Sequence, residues 1–304
     1  MSTVDDSSHV SSPLSPVPET APSARRRRVD LRLWLPLGVL LLIGAASVLG
    51  PGLLDLEPEA QDLGNRLQEP VWLGGDGGAL GTDAFGRDLL ARTLAGGQVS
   101  LAVGFGAATG AVLLGVLLGL VAGYRGGRLD RAIMSVADVW LAFPFLVLAL
   151  AAVAVVGSDI PVLIALLTLG GWVLPTRVTR TIVQRLRGED YVVAATGAGA
   201  SDAYVVWRHL LPQVLPVTLV VWSFTVGTLV VIESSLSFLG LGVRPPTPSW
   251  GNLISDGTSY LETAWWILTW PALMIVVTVL CANALGTALR RRLSNVALDP
   301  KVLT

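Results

Sequence analysis

YVVAATGAGASDAYVVWRHLLP, residues 191–212, is the stretch whose reading decides the fold. It is only partly apolar, yet it lies between two runs apolar enough to cross a membrane. Before it, Arg177 to Arg187 prolongs a helix, and Gly188 stands at a helix C′ position. Glu189 and Asp190 then open a new helix, where acids suit the dipole. That helix is expected to run to about Ala198. Gly199–Ala200 makes a bend, and Ser201 or Asp202 caps a second short helix ending at Leu211. Pro212 opens the next span. The expected product is a helix–turn–helix outside the membrane that exposes Tyr191, Val192, Val193, Tyr204, Val205 and Trp207. Exposed apolar side chains on such a loop need a partner surface. A short rigid helix held there passes a partner's motion to the spans at either end, a mechanical role that needs no catalytic residue.

The rest of the chain fits a polytopic membrane protein. Of its 304 residues 52% are hydrophobic and 14% charged, well below the roughly 25% charged residues of a soluble domain. Net charge is −1, which gives no sign of a nucleic-acid partner. One cysteine, Cys281, excludes an intrachain disulfide, and with two histidines the chain falls short of the four ligands of a structural Cys/His zinc site. Lys301 is the only lysine. No Gly-x-x-x-x-Gly-Lys-Ser/Thr phosphate loop is present, so this chain does not hold the usual ATP site. No Ser-His-Asp or paired-carboxylate constellation stands out, and no enzyme activity or cofactor is expected of the chain by itself.

Residues 1–24 are Ser-, Pro- and Asp-rich and read as disordered. Residues 25–54 carry Arg25–Arg28 and Arg32 before an apolar run, read as an uncleaved anchor helix. Residues 55–97 form a loop with Asp55, Glu57, Glu59, Asp62, Glu69 and Asp76. A core, 98–290, holds five more spans at about 98–122, 135–157, 160–178, 213–241 and 264–289, with the polar loop 177–212 among them; 291–304 is a tail. Each span is near the ~20 residues needed to cross the hydrocarbon. Arg and Lys concentrate in the N-terminus, the 123–134 loop, the 177–212 loop and the tail, which places those segments and both termini in the cytoplasm. The 55–97 and 242–263 loops then face outside. The expected class is all-α, a multi-pass protein of the cell membrane with six transmembrane helices.

Several residues have two readings. Gly106, Gly110, Gly115, Gly119 and Gly123 recur at small-xxx-small spacing, as in a helix packed tightly inside a bundle. Glu233, with Ser234, Ser235 and Ser237, either lines a pathway or hydrogen-bonds between helices. Asp138 caps a helix or pairs with an arginine such as Arg131. Pro144 kinks the third span. Asp83, Arg87 and Asp88 form an ion-paired loop or a docking network. The Pro245–Trp250 stretch is stiff, with an interfacial Trp250. His209 packs at a partner interface or acts as a proton switch.

The opening stretch resembles the "EAA" loop of ABC-importer permeases. The family pattern is Glu-Ala-Ala, three residues, Gly, nine residues, then Ile-x-Leu-Pro. Ala194–Ala195, Gly199 and Leu211–Pro212 match at the same spacing, while Val193 stands for the Glu and His209 for the Ile. His209 with Pro212 resembles the ending of the oligopeptide/dipeptide branch. So do GTDAFGRDLLARTLAGGQVSL (residues 81–101), AGYRGGRLDRAIMSVADVWLAFP (122–144) and ESSLSFLGLGVRPPTPSWGNLISDG (233–257). The resemblance covers roughly residues 80–290. It implies the type I importer permease fold and a peptide-importing machine in which this chain is one pore subunit, the "C"-type member of the pair. It further implies a homologous permease as heterodimer partner, two cytoplasmic ATPases that bind ATP and Mg, an extracytoplasmic solute-binding protein and surrounding membrane lipid. Tyr191–Ala195, Gly199, Ser201, Asp202, Tyr204, Trp207, His209, Leu211 and Pro212 would couple it to the ATPases. Nickel or glutathione importers resemble this branch as well, and an ion-coupled secondary transporter is the alternative from another class.

Overall fold

The computed structural model of the chain describes residues 31–297. The expected disordered segment 1–24, Arg25–Arg28 and Lys301 lie outside the described residues. Ten helices make up the described chain: α1 (Leu31–Leu53), α2 (Leu89–Arg125), α3 (Gly127–Ala142), α4 (Phe145–Val156), α5 (Ile160–Gly171), α6 (Val173–Leu186), α7 (Asp190–Gly197), α8 (Asp202–Phe238), α9 (Trp250–Gly257) and α10 (Trp266–Ala297). α1, α2, α8 and α10 are each long and apolar enough to span a membrane. The other two expected spans are bent pairs. α3 and α4 meet at 86°, and α5 and α6 at 44°.

Both bends have local causes. Phe143 precedes Pro144 and is extended (φ −95°, ψ 135°), because the proline ring disfavours the α region one residue earlier. α3 therefore stops at Ala142, and α4 restarts after the proline. The kink expected at Pro144 is a full break. In the second pair Pro175 has no N–H to offer the carbonyl four residues back, at Gly171, where the axis turns.

α2 is the axle of the bundle. It packs on α6, α5 and α8, with α1 alongside. The expected glycine stripe explains how closely. A Cβ at Gly115 would lie 2.9 Å from Thr176 N, one at Gly119 2.7 Å from Thr176 O, and one at Gly123 2.9 Å from Arg180 O. Only glycine allows two backbones this close, and in lipid such packing replaces the hydrophobic drive that water supplies. Val103, Ala107 and Ala111 of α2 meet Leu163 and Leu167 of α5 and Val226, Leu229 and Val230 of α8 in the central apolar cluster.

Trp250, expected at an interface, is a core residue only 1% exposed. Its indole N–H donates to Thr93 O (3.0 Å) and its backbone N–H to Ser100 Oγ (3.1 Å). Ser249 and Asn252 form a capping box that starts α9 there. Asp138 pairs with Arg177 at 2.5 Å rather than with Arg131. Eight residues earlier on α3, Asp130 takes both Arg180 Nε and Arg180 Nη2. These two pairs clamp α3 to α6.

Candidate functional site

The 187–212 segment begins where α6 ends. Asp190 stands in the first turn of α7, where its charge suits the helix dipole. The helix closes in a Schellman motif. Ala200 N–H donates to Ala195 O (3.1 Å) and Gly199 N–H to Thr196 O (3.0 Å), with Gly199 at φ +86°. The spacing from Ala195 to Gly199 is thus the spacing of a helix end to its left-handed C′ residue. Ser201 caps the next helix, its hydroxyl accepting from Tyr204 N at 3.3 Å.

That next helix was expected to stop at Leu211, with Pro212 opening a separate span. It does not stop: α8 runs unbroken from Asp202 to Phe238. Residues 206–210 form a π turn, and Leu211 N–H bonds Val206 O, five residues back. Pro212 has no N–H to bond a preceding carbonyl, and the wider turn just before it accommodates the loss. The loop's second half is therefore one rigid rod with the membrane helix.

Exposure divides the expected contact residues into two faces. Tyr191 (42% exposed), Val193 (56%), Tyr204 (53%) and Trp207 (67%) lie outside. Val192 and Val205, expected outside with them, are 1% and 0% exposed. They join Leu210 and Val214 against Val112, Val116 and Leu120 of α2 and Val183 and Leu186 of α6. This is a correction with a simple cause: the segment needs its own apolar support to lie still. Leu211 packs partly against the same cluster. Ala194 is exposed and Ala195 half-buried. On the outer face His209 sits between Tyr191 and Tyr204, its ring centre 5.9 and 5.6 Å from theirs. Burial, with Glu189 nearby, raises the Tyr191 phenol above its ordinary value. Asp202 accepts from Tyr124 Oη of α2 at 2.9 Å, a clasp the sequence did not suggest. An open cavity of about 480 Å³ beside it is lined by Tyr124, Arg125, Arg187, Val193 and Thr196.

The pathway candidates gather at the outer end of α8. Glu233 is 1% exposed and accepts from Ser237 Oγ (2.8 Å) and Ser234 Oγ (3.2 Å). α9 packs over this knot, and a Cβ at Gly251 would lie 2.6 Å from Ser237 Cβ. Ser235 points elsewhere and bonds its own helix at Val231 O (2.8 Å). These hydrogen bonds lie within α8, and α9 is held against them by close packing at Gly251. Of Asp83, Arg87 and Asp88 the first two are ion-paired, Arg87 Nε meeting Asp83 Oδ2 at 2.7 Å, and Asp88 instead caps α2.

A family model described as the binding-protein-dependent transport system inner membrane component matches residues 115–295, from the middle of α2 through α10. The chain belongs to this family. It is a multi-pass membrane permease of the ABC-importer type, and the loop just described lies inside the matched region. Among its relatives is a putative peptide transport system permease protein of Brucella suis, 38% identical over 289 residues, covering 95% of this chain and 93% of the relative. The di/tripeptide transport system permease of Pseudomonas aeruginosa is 36% identical over 268 residues, covering 86% of each. The oligopeptide transport system permease of Haemophilus influenzae is 37% identical over 221 residues, covering 73% of this chain and 70% of the relative. In fold, the chain is similar to a chain of the MetNI methionine ABC transporter in an inward-facing conformation, with a TM-score of 0.55 at 20% identity. That match covers 66% of this chain and 95% of the other.

Proposed function

We propose that this permease imports peptides as one of two unlike pore subunits, paired with a homologous permease. Two cytoplasmic ATPases bind the ATP and Mg and supply the energy, and a solute-binding protein delivers the peptide from outside. The chain carries no catalytic residue of its own, and both of its termini lie in the cytoplasm. The observation that carries the reading is the two-faced loop. Its inner face is locked to α2 and α6 by Val192, Val205 and Leu210, while its outer face offers Tyr191, Val193, Tyr204, Trp207 and His209. An ATPase groove closing on that outer face moves a body already welded to three helices. α8 carries the motion straight into the membrane because it has no break at Pro212. α6 carries it to α3 through Asp130 and Asp138. The names of the relatives support peptide as the cargo.

The test is ATPase activity of the complex purified through a tag on this chain, in nanodiscs. Adding the cognate solute-binding protein with a peptide mixture is expected to stimulate hydrolysis severalfold. Stimulation by nickel and not by peptide would overturn the cargo. Purification without any ATPase would overturn the machine.

A further inference from the structure

At the far end of α2 from the loop, residues 55–88 form an ordered platform. Thr82 Oγ1 donates to Asn65 O (2.6 Å) and accepts from Gln68 N (2.9 Å), and Trp266 Nε1 donates to Thr82 O (3.2 Å). Out of this platform projects one short apolar turn, Val71-Trp72-Leu73, held at its base by Val71 N–H to Gly78 O (3.0 Å) and Gly77 N–H to Glu69 O (2.9 Å). Its three side chains are 60%, 55% and 43% exposed. An ordered loop facing water alone has no reason to present Val, Trp and Leu side by side.

We propose that this turn rests in the head-group layer of the outer leaflet and anchors the platform to lipid. The tryptophans fix its depth. The Trp72 ring lies 6.2 Å from both Trp265 and Trp270, edge-on to each. Those two flank the first turn of α10, a membrane span. At 1.5 Å rise per residue they lie within roughly 8 Å of each other along the axis. Trp72 is therefore level with the end of a span, the depth at which tryptophan collects in membrane proteins. The apolar surface is also continuous with the span. Leu273, Val276 and Leu280 share one exposed face of α10, and Trp270, three residues before Leu273, lies on its edge. Exposed carboxylates at Glu69 and Asp76 flank the turn. Charges of that kind do not enter hydrocarbon, so the turn stops at the head groups and favours zwitterionic ones over anionic ones.

The experiment is site-directed spin labelling of the assembled transporter in phosphatidylcholine nanodiscs, with Cys281→Ala removing the native thiol. A nitroxide goes at position 73 in one sample, at 71 in a second and at 57 as an aqueous reference. Collision with oxygen, which partitions into lipid, is compared with collision with a water-soluble nickel chelate. At positions 71 and 73 the oxygen-to-nickel ratio is expected to exceed that at 57 severalfold, and to stay so when a solute-binding protein is added. A ratio equal to that at 57 would overturn the proposal. So would a turn that is nickel-accessible alone and protected by the binding protein, because the turn would then be a protein dock. Inaccessibility to both probes would mean burial against a second permease and would overturn it equally. The label at position 71 answers the same question if the label at 73 disturbs the turn.

Discussion

The two loops at the ends of α2 are built on opposite plans. The 187–212 loop is held by side-chain packing: Val192, Val205 and Leu210 plug into α2 and α6 with a single polar clasp, Tyr124 to Asp202. The 55–88 loop combines hydrogen bonds and an ion pair, with Thr82, Asp83 and Arg87 at its centre, and with Leu67 and Leu80 packed on Leu89 and Trp266. Both expose aromatic rings. The difference teaches where force can pass. An apolar plug transmits a push in any direction, because close-packed interiors are stiff. A network of turns keeps its shape through directional hydrogen bonds, which suits a platform more than a lever.

The largest expected effect comes from wrecking the plug. Val205→Asp puts a carboxylate where no partner waits, a change of about 3–5 kcal/mol. The loop should detach, with protease cleavage inside residues 187–212 and no bound ATPase. The matching change on the other plan, Val71→Asp on an exposed turn, should leave the same assay untouched. Next comes Gly199→Val. Nothing lies within 4 Å of a Cβ there, but φ is +86°, so the strain is in the backbone and amounts to about 1–2 kcal/mol. Co-purified ATPase should fall roughly tenfold. Gly199→Asn, which tolerates the left-handed region, should restore most of it; equal loss with Asn would show that bulk, not conformation, matters. The α3–α6 clamp should give smaller and graded effects. Arg180→Ala removes the partner of a mostly buried Asp130 and should lower stability by about 1–2 kcal/mol. Asp138→Asn breaks a pair whose side chains are 67% and 45% exposed, and should cost under about 1 kcal/mol, vanishing at high salt. Thermal midpoints in detergent would read both.

Much of this was legible in the sequence because it rests on local rules. The glycine stripe of α2, the bend at Gly199 and the cap at Ser201 each follow from residue type and spacing, and so does the place of the Pro144 bend, though it is a break where a kink was expected. What was not legible depends on distant partners. The runs Tyr191-Val192-Val193 and Tyr204-Val205-Val206 give no periodicity that says which valine turns inward; α2 and α6 decide, and they choose the middle residue of each. Asp138 finds Arg177 because α3 lies along α6, a fact no spacing reveals. Trp250 looked interfacial beside its prolines, and Ser100 and Thr93 draw it inside. At Pro212 the local rule itself misled: proline reads as a helix boundary, and the π turn before it lets the helix continue.

The central claim is that the loop's outer face docks the ATPase and its inner face only supports that docking. The direct measurement is the affinity of the purified ATPase for the permease pair in nanodiscs, with wild type and Trp207→Ala. Trp207 is 67% exposed and absent from the packed clusters, so its removal should leave the thermal midpoint of the permease unchanged. The account predicts that ATPase affinity falls at least about tenfold, as expected for a large aromatic anchor. Unchanged affinity with an unchanged midpoint would contradict it.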